Sequence, residues 1–369
     1  MDETQLRRAP VATTREGIYV ERGGRRLMSF SCNDYLNLSQ HPAVIKAALA
    51  ATTRYGVGAG ASRLVTGNHP LYGELENRLA RLKVSEAACV FGSGYLANTG
   101  IIPALAGADD LILVDELSHA CIHAGARLAG ATVVYYRHGD VAHVQTLLAA
   151  RHPQYQRALI VTDGVFSMDG DLAPLAELAA LAQNYDAWLL ADDAHGLGVV
   201  GGGRGSAFAN GRTAEVPLQM GTLSKAIGAY GGYLCASQPV IDLMRTRART
   251  FIYSTGLPPP VIAAAIAAID IIEAEPDYAA QPLRKAKIFA RALNLPEPQS
   301  AIVPLILGKT EDALAAAHIL EQEGFLVVPI RPPTVPPGTA RLRFAFTARH
   351  PDADIEQLAA IVRSRVMRR

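Results

Sequence analysis

From residue 87 to residue 225 the chain repeats one phrase: a short apolar run, an abrupt polar or glycine-rich stop, then helical sequence. The runs AACVF (87–91), LILVD (111–115), ALIVTDG (158–164) and AWLLADDAH (187–195) are bounded by turn residues and read as strands. ATVVYYR (131–137) is β-branched and aromatic and reads likewise. Between them stand helical stretches: YLANTGIIPALA, Ser118 to Gly130, VAHVQTLLAARH, and LAPLAELAALAQNYD with Asp171 as its cap. Strands that alternate with helices need crossover connections. The sequence therefore predicts an α/β fold with a largely parallel sheet, covered on both faces.

The flanks extend this frame. HPAVIKAALAATTRYG (41–56) predicts a helix, with Pro42 in its first turn and Gly56 at its stop; HPLYGELENRLARLKV (69–84) predicts another. After about residue 240 the texture changes. LPPPV opens a long helix, and a smaller αβ unit follows, with FLVVPIR and ARLRFAF as strands. The expected division is an N-terminal segment (1–40), a large domain (41–240) and a small C-terminal α+β domain (241–369).

Composition excludes several classes of function. The formal net charge is +1, which suggests neither a nucleic-acid nor a membrane surface. Cys32, Cys89, Cys121 and Cys235 are scattered without a CxxC pair, against a disulfide framework or zinc cluster and in keeping with a reducing cytoplasm. No apolar run accompanies Asp2 and Glu3, so no secretory signal is expected. The longest apolar stretch, PPPVIAAAIAAID, is too short to span a bilayer.

In an open parallel sheet, ligands bind beyond the carboxyl ends of the strands. Five predicted strand ends carry chemistry: GSGYLAN (92–98), DELSH (115–119), VFSMDGD (165–171), DDAHG (192–196) and, after a further short run LQM (218–220), GTLSK (221–225). Five such loops on one edge predict a single large site. GSGYLAN places a glycine turn at a helix N-terminus, where free amides and the helix dipole suit a phosphate. It also fits a dinucleotide fingerprint with Asp115 following, or simply a tight turn.

Asp192 and His195 stand three apart. They form either an ordinary polar pair or a carboxylate that keeps a pyridine ring protonated. A metal would need a third ligand, and HExxH is absent, so no metal is expected. Lys225 is the only charged residue from Val216 to Ile241. Alone it reads as a lysine reaching solvent. Set among glycines and small residues, it can be desolvated, lose its proton and form a Schiff base. Thr222 can offer a hydroxyl to a phosphate. A phosphate turn, an acidic strand end and a lysine, in that order, point to pyridoxal phosphate (PLP).

Eight stretches now carry a resemblance: CNDYLNLSQHP, FGSGYLAN, DELSHACI, TDGVFSMDGDLAPL, DDAHGLGVVGGGRG, GTLSKAIGAYGG, IYSTGLPP and IRPPTVPPGTARLR. In this order they resemble the α-oxoamine synthases, PLP enzymes of fold type I, the aspartate-aminotransferase-like fold. The resemblance runs from about Phe30 to the C-terminus and implies a mostly parallel seven-stranded sheet in the large domain. RPPTVPPGTARLR resembles the members of biotin biosynthesis that join L-alanine to a pimeloyl thioester, rather than their glycine-using relatives.

The resemblance implies roles residue by residue. Lys225 would hold PLP as a Schiff base, Asp192 would pair with its pyridine nitrogen, and His195 with its ring hydroxyl. His119 would stack on the ring and touch substrate, and Ser167 would also contact the ring. Gly94 and Tyr95 would offer backbone to the phosphate, with the Thr222 hydroxyl. Arg331 and Thr334 would hold the amino-acid carboxylate or the end of the acyl chain, and Arg7 would also touch substrate. Ser254 and Thr255 would reach the phosphate of a neighbouring subunit, since such enzymes are typically homodimers.

Three positions depart from the family's usual pattern: Asp163 for glutamate, Tyr72 for histidine and Asn37 for glycine. Coenzyme A and acyl carrier protein both stay open as carriers, and Arg245, Arg247 and Arg249 read as a solvated helix face. The alternatives are a glycine C-acetyltransferase or other α-oxoamine synthase, an NAD-dependent dehydrogenase, and a non-catalytic partner subunit. Lys225 speaks against the last.

Overall fold

The computed structural model describes residues 10–211 and 213–367. Three short N-terminal strands, β1 (Thr14–Glu16), β2 (Tyr19–Arg22) and β3 (Arg25–Ser29), form an antiparallel meander that the sequence analysis did not predict. Helices α1 (Pro42–Tyr55) and α2 (Leu71–Lys83) follow where expected. Then comes the alternation: β4 (Ala87–Phe91), α3 (Gly94–Leu105), β5 (Leu111–Asp115), α4 (Ala120–Leu128), β6 (Thr132–Tyr136), α5 (Val141–Arg151), β7 (Ala158–Asp163), α6 (Leu175–Asn184), β8 (Trp188–Asp192), β9 (Leu218–Thr222) and β10 (Gly232–Ala236).

These seven strands form one sheet in the order β4-β10-β9-β8-β7-β5-β6. Only β10 runs against the rest, hydrogen-bonded between β4 and β9. Strands β5 and β8 are apolar up to their closing aspartates and β7 up to Thr162 and Asp163, the pattern of strands covered on both faces. One core, with Ile101, Ile112, Met220 and Met244, lies under α3, α4 and α7 (Gln238–Arg247); α8 (Arg249–Ile252) closes it with Phe251. On the other face α6 buries Leu175 and Leu178 beside Leu189, and α9 (Pro259–Ala274) packs on α1 and α2. Each such fully buried Leu, Ile or Phe contributes about 1.5–3 kcal/mol.

The remaining elements are α10 (Pro276–Leu293), β11 (Ile302–Gly308), α11 (Thr310–Gln322), β12 (Phe325–Leu326), β13 (Pro329–Ile330), β14 (Ala340–Ala345) and α12 (Asp352–Ile361). FLVVPIR, expected as one strand, is two. β12 pairs in parallel with β3, extending the N-terminal sheet, whereas β13 pairs with β14 in a three-stranded sheet. A second correction concerns Asp171. It does not cap α6, whose N-cap is Pro174; its carboxylate is drawn away to His138, 2.8 Å from Nε2. Asn37 has φ 52°, the left-handed region that explains how asparagine serves where glycine is usual.

Candidate active site

β4, β5, β7, β8 and β9 point the same way, so all five predicted strand ends do meet at one edge of the sheet. At the β4 end, Ser93 caps α3, its hydroxyl accepting from the Leu96 amide at 3.2 Å. The amides of Gly94 and Tyr95 precede any intrahelical partner. A Cβ on Gly94 would lie 3.3 Å from the Thr222 Cβ and 3.4 Å from its hydroxyl, so glycine keeps this corner open. Thr222 is buried at the end of β9, its hydroxyl donating to the Gly231 carbonyl at 2.7 Å.

Asp163 and Asp192 end neighbouring strands in register, and both are buried. The Asp192 carboxylate accepts from the Asn98 side-chain amide at 2.7 Å and the Ala194 amide at 3.0 Å. Burial raises its pKa, opposed first by Lys225. Asp163 accepts from the His119 amide at 2.9 Å. Burial, and then the charge of Asp192, push it well above the carboxylate range.

His119 is itself the N-cap of α4, its Nδ1 accepting from the Cys121 amide, which fixes the ring at the helix mouth. Burial lowers its pKa. Cys121 lies 2.9 Å from His119 Nδ1 and 3.1 Å from Asn98 Nδ2, its thiol pushed up to about 12 by burial and by Asp192.

Lys225 follows β9. Its Nζ lies 2.8 Å from His195 Nε2, and burial holds the amine below its ordinary range, against the pull of Asp192 and Asp163. Burial, with Lys225 and Arg343 adding, pushes His195 well below its usual value. Ser167 lies on the loop after β7, and its carbonyl accepts from Arg343 Nε. The structure thus unites Lys225, His195, Asp192, His119 and, through Arg343, Ser167. Thr222 and Gly94 form the adjoining corner.

Other predicted positions lie apart. Arg331 and Thr334 follow β13, half-buried and exposed respectively, with the Thr334 amide donating to the Arg331 carbonyl at 3.1 Å. Arg7 lies outside the described residues. Asp115, which a nucleotide reading would use, is buried and spent on the Leu117 and Gly139 amides and His138. That reading therefore loses its acidic partner.

Three residues of this site escaped the sequence analysis. The side chain of Arg343 is buried on β14, where its Nη1 meets Asn33 Oδ1 at 3.2 Å and its Nη2 meets the Tyr35 hydroxyl at 3.3 Å. Tyr35 in turn lies 2.7 Å from His195 Nδ1. All of these acceptors are neutral, so a guanidinium is held in the site without a carboxylate among its described partners. The signal for it was an arginine pair spaced by two within an otherwise apolar strand, ARLRFAF.

Comparison with known proteins bears directly on this arrangement. The family model "Aminotransferase class I and II" matches residues 25–362. An 8-amino-7-oxononanoate synthase of Methylocella silvestris is 66% identical over 94% of this chain and 99% of its own. The chain belongs to the aminotransferase class I and II family, among its 8-amino-7-oxononanoate synthases. Fold comparison agrees. A serine palmitoyltransferase from S. paucimobilis, solved with a bound PLP–myriocin aldimine, matches at TM-score 0.91 and 30% identity, covering 96% of this chain and 91% of that one. An 8-amino-7-oxononanoate synthase from Francisella tularensis matches at TM-score 0.78 and 26% identity, covering 92% and 98%.

Fold type I and PLP dependence follow for this family member. The residues present fit the group: an open glycine corner at a helix N-terminus for phosphate, a buried carboxylate for a ring nitrogen, and a desolvated amine for an aldehyde. Among the described residues, no cluster could hold a metal ion and no helix is long and apolar enough to cross a membrane.

Proposed function

We propose that this chain catalyses the decarboxylative condensation of L-alanine with a pimeloyl thioester, releasing carbon dioxide and a thiol and forming 8-amino-7-oxononanoate for biotin synthesis. The observation that carries the reading is the amine of Lys225 held below its ordinary pKa between His195 and the buried carboxylates, in a chain 66% identical to such a synthase. Bound PLP supplies an electron sink for the carbanion that forms on the α-carbon of an amino acid.

The chain's own residues do the rest. Neutral Lys225 takes the α-proton. Asp192 would keep the ring nitrogen protonated, His195 would meet the ring hydroxyl, and His119 and Ser167 would contact the ring. Gly94 and Tyr95 would give their amides to the phosphate, and the Thr222 hydroxyl would turn its proton from the Gly231 carbonyl to it. We assign the amino-acid carboxylate to Arg343 and Asn33, because a buried guanidinium with neutral partners can receive a bidentate anion. Such a clamp holds the breaking C–H bond in line for Lys225 and so contributes to rate as well as to binding. Arg331, Thr334 and Arg7 are left to the acyl chain.

The exposed side chains of Val57, Val65 and Tyr253 flank the contact between Ser62 and Thr255. A second copy of the chain would cover this apolar rim and bring Ser254 and Thr255 to the neighbouring phosphate corner, which supports a homodimer. Residues 41–240 then hold the PLP-binding sheet, with α7, α8 and α9 packed on it, and the rest of 241–369 makes up the small domain. Four free cysteines favour the cytoplasm.

The test is the visible spectrum of the purified protein before and after L-alanine, with thiol release measured alongside. A PLP band that changes with L-alanine, and faster release from alanine with a pimeloyl thioester than from glycine with an acetyl thioester, support the reading. Coenzyme A and acyl-carrier-protein thioesters compared in the same assay identify the carrier. Absence of a PLP band overturns the proposal, and preference for glycine moves it to the acetyltransferase.

A further inference from the structure

The geometry points to Tyr35 as a positioning residue that fixes His195 in the tautomer with its proton on Nε2. The inference rests on the proposed PLP reading for its catalytic consequence, but the tautomer itself is a property of the chain.

The distances among the hydrogen-bonding partners carry it. A tyrosine hydroxyl has one proton to give. Tyr35 is fully buried, so that proton must go to a protein group. Its neighbours are Arg343 Nη2 at 3.3 Å, Asn33 Oδ1 at 3.3 Å and His195 Nδ1 at 2.7 Å. Arginine can only donate, so the Tyr35 oxygen accepts from Arg343. Asn33 Oδ1 already receives Arg343 Nη1 at 3.2 Å and lies 0.6 Å farther from the hydroxyl than His195 does. Asn33 Oδ1 keeps a second lone pair, so the distances settle the choice: we place the hydroxyl proton on the shorter contact, Nδ1, which leaves the single proton of the neutral imidazole on Nε2.

That proton faces Lys225 Nζ at 2.8 Å. An Nε2–H can only meet a lone pair, so the tautomer selects the neutral amine that the proposed chemistry requires. It equally makes Nε2 a donor toward the ring hydroxyl oxygen of PLP. The Arg343 charge, donated onto the Tyr35 oxygen, polarises the O–H toward Nδ1 and strengthens the chain. Burial keeps both Tyr35 and His195 neutral over the ordinary pH range, raising the one and lowering the other. The charged and titratable groups around this chain are Lys225, Arg343, His119, Asp192 and Cys32.

Two measurements on the PLP-loaded enzyme test this. In protein labelled with ring-15N histidine, the His195 resonances, assigned by their loss in His195→Gln, are expected to show Nε2 protonated. Protonated Nδ1 overturns the proposal. Second, the isosteric Tyr35→Phe is expected to move the pH midpoint of the PLP band and lower kcat about tenfold, the value of one hydrogen bond, with a smaller change in KM for the amino acid.

In a His195→Gln background, where no tautomer exists to be chosen, Tyr35→Phe is expected to cost less than about threefold. Equal losses in both backgrounds would mean that Tyr35 serves only packing, and would overturn the assignment. Unchanged thermal midpoints check that the variants are folded. A protein without any PLP band refutes the proposed function, while the nitrogen shifts still decide the tautomer.

Discussion

Asp192 and Asp193 are adjacent in the chain and opposite in use. Asp193 meets Lys83 Nζ at 2.6 Å; that amine also donates to the Arg204 carbonyl at 2.7 Å, and the other Asp193 oxygen accepts from the Ser206 amide at 2.9 Å. Both side chains are at most 2% exposed. Even the backbone is cut to fit them, since a Cβ on Gly205 would lie 1.7 Å from the Asp193 oxygen. One residue earlier, Asp192 meets only neutral donors. Lys225, on the neighbouring strand end, meets a histidine, and no ion pair joins the two among the described residues. A satisfied buried pair is structure. Buried ionisable groups that face a common space without a direct ion pair are a site, and their displaced pKa values record the burial.

Matched substitutions should split this comparison widest. Lys225→Met is expected to lower thiol release by at least ~1,000-fold, because no other amine can take its place. Its thermal midpoint should not fall, since methionine replaces an amine that must give up its proton to be buried. Lys83→Met leaves Asp193 without its charged partner and should cost about 3–5 kcal/mol, or ~5 °C in the midpoint of a chain this long. Its remaining folded fraction should turn over normally. A large midpoint loss in Lys225→Met, read by calorimetry, would erase the distinction.

The sequence made one half of this contrast visible. Lys225 stood out because its surroundings were neutral, and Asp192 because it closed an apolar strand. The α/β alternation was equally plain, since strands buried on both faces are continuous apolar runs. Lys83 was not visible: it lies in a helix rich in arginine, and only the fold brings it beneath Asp193. Likewise the glycines of DDAHGLGVVGGGRG serve the structural pair as much as the site.

The missed elements are those whose pattern is set by distant partners. Strands β1 to β3 are short and charged, and β12 is two residues that find their mate at β3. Asn33, Tyr35 and Arg343 form a site only because β14 lies against the strand-end loops, a contact between residues some 310 apart in the chain.

A third cluster sharpens the comparison by pH. His138 bridges Asp115 at 3.1 Å and Asp171 at 2.8 Å, and these two hydrogen bonds raise it to about 10 from 6.5. The folded pKa is above the unfolded one, so this stabilisation is complete below pH 6.5 and is lost as pH rises through about 10. Wild-type midpoints are therefore expected to fall more between pH 7 and 10 than those of His138→Asn, by a few degrees, because Asp171 ties down the Ser167 loop. Lys225 contributes the opposite slope, since its lowered pKa makes folding less costly as pH rises toward 10.5. Both proteins carry Lys225, so its effect cancels in the difference. Parallel pH profiles would show that the bridge carries no charge.

The smallest effect tests the site's own internal contrast. Asp163 and Asp192 are register partners, and two adjacent buried carboxylates do not both ionise readily. Lys225, and in the proposed reading the ring nitrogen of PLP, favour charge on Asp192, while burial and Asp192 itself favour the protonated form of Asp163. Asparagine is then nearly an isostere of the form Asp163 already takes, and its carbonyl can still accept from the His119 amide. Asp163→Asn should leave kcat within about threefold and the midpoint nearly unchanged. Asp192→Asn, the same atom exchange on the neighbouring strand end, should cost two orders of magnitude or more in kcat, about 3 kcal/mol of transition-state stabilisation. Comparable losses in the two variants would show that the negative charge is shared between the two strand ends, and not held by Asp192.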